Sequence, residues 1–230
     1  MTHPENAYER EFTVQGFVIV PDVVAQSECD ELLGKVVMPG SELPGTRNLL
    51  SHDWCQALAS RLRQHAGLAS MIPAEYVAAQ CTYFEKSVSR NWLVPVHQDL
   101  SIPVAAWVAH DALRGWSEKE GTWFVQPPVE FLMRLIAVRI HLDPCADIDG
   151  PLQFVPGTHT LGRVEPAAAT RLRQTGPVVR CTLDRGGALV MHPLVLHASS
   201  KASGASLRRV LHFVFGPSEL PCGLQWQYTA

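Results

Sequence analysis

What this chain of 230 residues lacks narrows its function before any motif is considered. No apolar run approaches the ~18 residues that would suggest a membrane-spanning helix. No CxxC pair occurs among the six cysteines, Cys29, Cys55, Cys81, Cys145, Cys181 and Cys222, which lie far apart. A core of this size needs no disulfide staples, so they read as reduced core residues rather than zinc ligands or nucleophiles. Positive charge is not in excess either. The formal net charge of -3 offers no basic surface for phosphate backbones, which argues against nucleic acid and favours a small neutral or anionic ligand. The start of the chain sets Glu5, Glu9, Arg10 and Glu11 ahead of any apolar run, the wrong order for a secretory signal, so a cytoplasmic location is expected.

What is present is ordinary globular material, 47% hydrophobic and 18% charged, with no repeat, low-complexity stretch or linker. A single domain over 1–230 is expected: a mainly helical flank over 1–75, then a β core over 76–217. In the flank, GFVIV (16–20) is a β-branched strand. Ser27 can cap a helix running to about Val37, with Glu28 and Asp30 in its first turn. A second helix is expected over 52–65, with Trp54, Leu58 and Leu62 on one face. After Pro73, short segments broken by Gly and Pro predict strands near 77–86, 94–99, 134–142, 152–155, 178–183, 187–191, 195–198 and 208–215. The fold class is mainly β with flanking helices and a jelly-roll-like core.

The segment RLIAVRIHL (134–142) alternates with period two. Ile136, Val138, Ile140 and Leu142 form an apolar face suited to the helices, and Leu135, Ala137, Arg139 and His141 form the other. An Arg and a His turned away from the helical layer sit either in solvent or inside a barrel with a polar role, because an unpaired buried charge is costly.

In Val94-Pro95-Val96-His97-Gln98-Asp99-Leu100, an imidazole and a carboxylate stand two residues apart on a strand. Both point to one face and Gln98 to the other. One further imidazole completes a two-His, one-carboxylate set, which leaves three octahedral positions of Fe(II) open for a bidentate 2-oxo acid and O2. His197, after a strand and the turn at His192-Pro193, is the candidate, and His192 is its rival. Eleven residues on, Arg208 can bind the distal carboxylate of 2-oxoglutarate bidentately, and Ser199 can donate a further hydrogen bond. Arg209 is the competing anchor; parity favours Arg208, which shares a strand face with Val210, His212 and Val214. Gln80 and Thr82 are also assigned to the cosubstrate side. His159 reads as a loop-fixing residue, and His141 is placed beside Arg139 with a supporting role open to it.

Three blocks carry a resemblance to a known family: Val96-His97-Gln98-Asp99-Leu100, Gly150-Pro151-Leu152-Gln153-Phe154-Val155-Pro156-Gly157-Thr158-His159, and His192-Pro193-Leu194-Val195-Leu196-His197-Ala198-Ser199. With the F-x-x-x-G-[FY]-x-x-x-P look of Phe12 to Pro21, they resemble the phytanoyl-CoA dioxygenase family of Fe(II)/2-oxoglutarate oxygenases over nearly the whole chain. The resemblance implies a double-stranded β-helix (jelly-roll, cupin-like) core, iron at His97, Asp99 and His197, 2-oxoglutarate on Arg208, and O2 as the other cosubstrate. It places Arg139 where the family presents a side chain to the cosubstrate, commonly Trp, so Arg139 holds either the cosubstrate or a substrate carboxylate. Related halogenases replace the carboxylate ligand by a small residue; with Asp99 present, hydroxylation, desaturation or ring closure is expected.

The connection over 101–131 carries Trp107, Trp116, Trp123 and Phe124 with Gly115 and Gly121, and is expected to be an aromatic lid over the iron mouth. Such a lid and an inward Arg139 suit a small organic acid, amino acid or secondary metabolite. No Lys/Arg cluster is set to grip the phosphates of CoA. A homodimer is left open, as are two other classes: a cupin-like metal-dependent hydrolase or isomerase, which would need neither Arg208 nor Ser199, and a silent binding protein, which would be expected to have lost a ligand.

Overall fold

The structure is a computed structural model that describes residues 7–38, 45–203 and 207–230. Helix α1 (Ala7–Gln15) and strand β1 (Phe17–Val20) open it. They are followed by α2 (Gln26–Lys35), the two-residue β2 (Gly45–Thr46) and α3 (Asp53–Gln64). Then come β3 (Tyr76–Lys86), β4 (Val94–His97), β5 (Ile102–Val104), β6 (Arg114–Lys119), β7 (Thr122–Gln126), the one-turn α4 (Val129–Leu132) and β8 (Ile136–His141). The chain ends through β9 (Leu152–Phe154), α5 (Pro166–Thr175), β10 (Val179–Cys181), β11 (Ala188–Met191), β12 (His197–Ser199) and β13 (Arg208–Pro217).

The strands form a six-stranded sheet in the order β1-β11-β8-β13-β3-β2 and a four-stranded sheet in the order β10-β9-β12-β4. Every ladder in both is antiparallel. The alternation read in β8 decides how they pack. Ile136, Val138 and Ile140, with Leu142, Val190, Leu211, Phe213 and Phe215, face the helices and bury Leu32, Leu58 and Leu62 of α2 and α3. α3 forms because Cys55, Leu58, Ala59 and Leu62 recur at helical spacing, with Asp53 in its first turn and Arg61 and Arg63 in its last, as its dipole favours. The opposite face of the large sheet carries Ala137, Leu189 and Met191 against Leu152 and Phe154 of the small one. Phe17 stacks on Phe154 at 4.3 Å between ring centroids, closing one end of the sandwich. No helix among the described residues is long and apolar enough to cross a membrane.

Three local expectations are corrected. α2 begins at Gln26 with Ala25 at the capping position, so Ser27 lies inside the first turn and caps nothing; the helix closes at Lys35 rather than Val37. α5 was not expected at all, although Pro166 at its first position and the alanines after it are ordinary helix-start chemistry. The connection 101–131 is not an irregular lid. It folds into a third antiparallel sheet, β5-β7-β6, packed through Ile102, Val104, Val125 and Phe131 onto Leu135, Val214 and Trp226.

The β6–β7 hairpin turns at Glu120 (φ 52) and Gly121 (φ 72), the two left-handed residues of a tight hairpin loop. The Glu120 carboxylate accepts hydrogen bonds from Thr46 Oγ1 (2.8 Å), the Arg47 amide (2.9 Å) and Arg47 Nη1 (2.9 Å). Asn48 Nδ2 donates to the Glu120 carbonyl at 2.9 Å. The segment is therefore a wall braced at its tip.

Gly16 explains the F-x-x-x-G opening. Its amide donates to Phe12 O at 2.8 Å to end α1, its φ is +85°, and a Cβ there would stand 2.4 Å from His159 Nδ1. Gly16→Ala should destabilise the fold by about 2–4 kcal/mol, the left-handed backbone and the clash each contributing. Chemical denaturation measures this, and a loss under about 1 kcal/mol would show that the ring simply moves aside.

Candidate metal and cosubstrate site

β4 and β12 lie side by side with His97 and His197 directly opposite one another, their ring centroids 4.2 Å apart. The Nδ1 of each ring is 2.9 Å from the carbonyl oxygen two residues earlier, Pro95 for His97 and Val195 for His197. A carbonyl can only accept, so Nδ1 carries a proton and Nε2 is the atom left for a metal. Both Nε2 atoms point at Asp99, 3.5 Å from Oδ1 and 3.7 Å from Oδ2 respectively. One ligand atom from each of the three side chains lies within 4.8 Å of the others, the one such group among the described residues.

Braces outside the triad fix this geometry. Gln98, turned away from the site, donates from Nε2 to Gly162 O (2.8 Å) and Leu194 O (2.7 Å), and its Oε1 accepts from the Val164 amide (2.8 Å). The Asp99 amide donates to Pro193 O at 2.8 Å. Thr158 accepts from the Leu196 amide at 2.9 Å while donating to Val155 O at 2.7 Å, which ties the second sequence block to the strand bearing His197. Burial tends to raise the Asp99 pKa, but the two imidazoles beside it hold the carboxyl below its usual range. Burial pushes His197 down to about 4. A neutral imidazole with a free Nε2 beside an ionised carboxylate is the protonation state a divalent cation requires. Two imidazoles and one carboxylate on one side of a cavity suit Fe(II), so the residues fit that ion.

The cavity beside the triad has a volume of about 410 Å³. Arg139, Arg208, Ser199, Gln80 and Thr82 all line it, so every residue expected there on the cosubstrate side is present. Arg208 and Arg139 are 4% and 8% exposed, and neither has a carboxylate at ion-pair distance among the described residues. Arg208 Nη1 donates to Gly150 O, but its Nε is buried without a partner. Arg139 Nε is likewise unpartnered, and its guanidinium lies 5.3 Å from the Phe84 ring centroid. Buried N–H groups with nothing to donate to are what an anion-binding site looks like before its ligand arrives. Arg209 faces the other way and forms a two-point pair with Asp143, both contacts at 2.7 Å.

The remaining histidines separate cleanly. His192 stacks between Phe12 (4.3 Å) and His159 (4.8 Å), outside the ligand group. His141 is buried with an unpartnered Nδ1 but does not line the cavity. One expectation is altered: the Ser199 hydroxyl spends its proton on Gly150 O at 3.0 Å instead of directing it into the cavity. Sequence reasoning missed Lys86, whose Nζ donates to Ser199 Oγ at 2.8 Å, and it missed Arg47 and Lys119 on the cavity wall.

The family model for phytanoyl-CoA dioxygenase (PhyH) matches residues 12–210. The chain belongs to the phytanoyl-CoA dioxygenase family. Among curated proteins, L-proline trans-4-hydroxylase from Streptomyces griseoviridis is 28% identical over 133 residues. That match takes in 46% of this chain and 47% of the relative, so the chain aligns with about half of that enzyme's length. Among solved structures, HygX from Streptomyces hygroscopicus with nickel and 2-oxoglutarate bound is similar at TM-score 0.61 and 15% identity, covering 92% of this chain and 86% of that one. The non-heme α-ketoglutarate-dependent carbocyclase SnoK from nogalamycin biosynthesis is similar at TM-score 0.63 and 18% identity, over 91% and 83% of the two chains. At these identities the structural likeness establishes the shared jelly-roll fold. Within the phytanoyl-CoA dioxygenase family frame, the matched span includes His97, Asp99, His197 and Arg208 together.

Replacing His97, Asp99 or His197 by Ala should abolish Fe(II) binding, measured by anaerobic titration, and leave the circular dichroism spectrum in place, because hydrophobic burial holds the sandwich together. His192→Ala should bind iron normally but unfold at a lower temperature, having lost its stack. Full iron occupancy in His197→Ala together with loss in His192→Ala would reverse the assignment.

Proposed function

We propose that this protein is an Fe(II)- and 2-oxoglutarate-dependent oxygenase that oxidises an unactivated C–H bond of a small organic acid, amino acid or secondary metabolite, releasing succinate and CO2. The observation that carries the reading is one cavity that combines three convergent ligand atoms with two buried, carboxylate-free guanidiniums. A hydrolase or isomerase using the same three ligands has no use for Arg208 at that depth.

Bound iron would supply O2 activation coupled to decarboxylation of the 2-oxo acid. The protein's own part is binding and exclusion of water. His97, Asp99 and His197 would hold the ion from one side. Arg208 reaches the far end of the cavity, where a planar guanidinium suits a carboxylate. Phe84, Trp92, Leu100, Ile102 and Phe124 give the remaining wall an apolar character that keeps water from the reacting C–H. Arg139 marks the substrate as acidic: its positive charge is buried, and an anion in the cavity offsets that cost.

Two substitutions test the roles. Arg208→Ala should weaken 2-oxoglutarate binding by about 2–3 kcal/mol, roughly 30- to 150-fold, with iron content unchanged. A large effect in Arg209→Ala alongside an unaltered Arg208→Ala would transfer the anchor. Arg139→Met should abolish substrate-coupled turnover while preserving 2-oxoglutarate affinity and slow uncoupled succinate release. If affinity falls instead, Arg139 holds the cosubstrate; intact coupled turnover would remove it from the site and remove the argument for an acidic substrate. The screen is succinate release against small acids and amino acids.

A further inference from the structure

Among the described residues, one of the largest buried side chains is a lysine. Lys86 ends β3 with 1% exposure. It is the register partner of Arg208 across the β3–β13 ladder, so both project from one face of the large sheet toward the small one. Its Nζ crosses between the sheets and donates to Ser199 Oγ (2.8 Å) and Ser200 O (2.7 Å), and lies 5.3 Å from the Trp92 ring centroid. Ser199 Oγ passes its own proton to Gly150 O, the carbonyl that also accepts from Arg208 Nη1. Lys86, Ser199, Gly150 and Arg208 are thus one connected group, of which Ser199 and Arg208 line the cavity and Lys86 stands behind Ser199.

Packing alone gives a poor account of this lysine. Methionine would fill a similar volume without the cost of burying an ammonium, and two neutral acceptors return only part of that cost. The charge is also opposed: burial, then Arg208 and Arg139, push its pKa down to about 8, so it is still protonated at neutral pH. No carboxylate lies at ion-pair distance from Lys86 among the described residues. Two cations held side by side against mutual repulsion are stabilised by an anion placed between sheet and cavity.

We propose that Lys86 is a positioning residue for the cosubstrate: beside Arg208 and through Ser199, it makes the distal end doubly cationic and selects a 2-oxo dicarboxylate over a 2-oxo monocarboxylate. This rests on the oxygenase reading above. The Lys86 charge acts on the distal carboxylate across Ser199, whose own proton is held by Gly150 O. Discrimination then comes from the cations rather than from the hydroxyl.

The test compares 2-oxoglutarate with 2-oxobutyrate, which chelates metal equally but lacks the distal carboxylate, by calorimetry on the Fe(II)-loaded protein without O2. Lys86→Met and Lys86→Gln should weaken 2-oxoglutarate by about ten- to a hundredfold and 2-oxobutyrate by less than about twofold. Unchanged 2-oxoglutarate affinity, or equal loss for both acids, overturns the proposal, since a merely structural lysine would affect both alike.

Should neither variant fold, the wild type carries the test through pH. The charged and titratable groups facing Lys86 are Arg208, Arg139 and Cys145. Burial lowers Arg208 from the usual guanidinium range and raises the Cys145 thiol; Arg139, pushed down by burial to about 9, is still mostly charged at pH 8.5. The ammonium is present below about 8 and lost above it, so the preference for 2-oxoglutarate should fall about fourfold from pH 7 to 8.5. A flat ratio overturns the proposal. A wild type that binds iron but neither acid would sink the oxygenase reading itself, a distinct outcome.

Discussion

A two-sheet sandwich is a poor place for positive charge, and this one buries Lys86, Arg139 and Arg208 in a single region with no carboxylate at ion-pair distance among the described residues. Much of the surrounding architecture follows from that constraint. The face turned to the helices packs Ile136, Val138, Ile140, Leu211, Phe213 and Phe215 against Leu32, Leu58 and Leu62, so the strands present these three charges to the gap between the sheets. The gap in turn does not close into a dry core like that around Phe17 and Phe154. It stays open as a cavity whose polar lining lacks its counter-ions, and that incompleteness is the physical signature of a site built for anions.

The His97–Asp99–His197 group obeys a different constraint, of direction rather than charge. A histidine can offer Nε2 only if something claims Nδ1, and here the backbone does so twice, in the same way, on two strands in register. This makes the tautomer a property of strand geometry instead of a distant partner. The residues between the ligands serve the same end. Gln98 turns outward because of its parity with His97 and Asp99, and it clamps the 162–164 turn and the loop before His197. A substitution there would displace both halves of the triad without touching either.

The sequence was most legible where period and chemistry agreed. In β8 the alternation alone separated Ile136, Val138 and Ile140 from Arg139, and the sheet packs that way. Arg208 and Arg209 separated on parity for the same reason. What stayed hidden was tertiary. Lys86 at a strand end reads as a solvated terminus, although counting back by twos from it reaches Phe84 and Thr82 on the cavity face. The 101–131 segment looked like a loop because its strands are short and interrupted by Gly115 and Gly121, and its order depends on Glu120 reaching residues 46–48, more than seventy positions earlier. α5 was lost because its helix carries one buried residue, Ala169, and so has almost no apolar period to read.

Charge compatibility also bears on which molecules can share the cavity. A divalent ion is only half neutralised by Asp99, since both histidines enter as neutral ligands, and Lys86, Arg139 and Arg208 add to the surplus. A dianionic cosubstrate cancels part of this but leaves the enclosed region positive. Glu120 cannot absorb the remainder, because it is already paired with Arg47 at 2.9 Å, and Lys119 on the cavity wall adds to it. In a site with restricted access to water, a positive surplus favours whatever brings a further negative charge. An acidic group on the substrate therefore does more than orient it: it completes the electrostatics that the cosubstrate leaves unfinished, so an acidic substrate and the cosubstrate should favour each other's binding, whereas a cationic molecule of the same shape should be repelled.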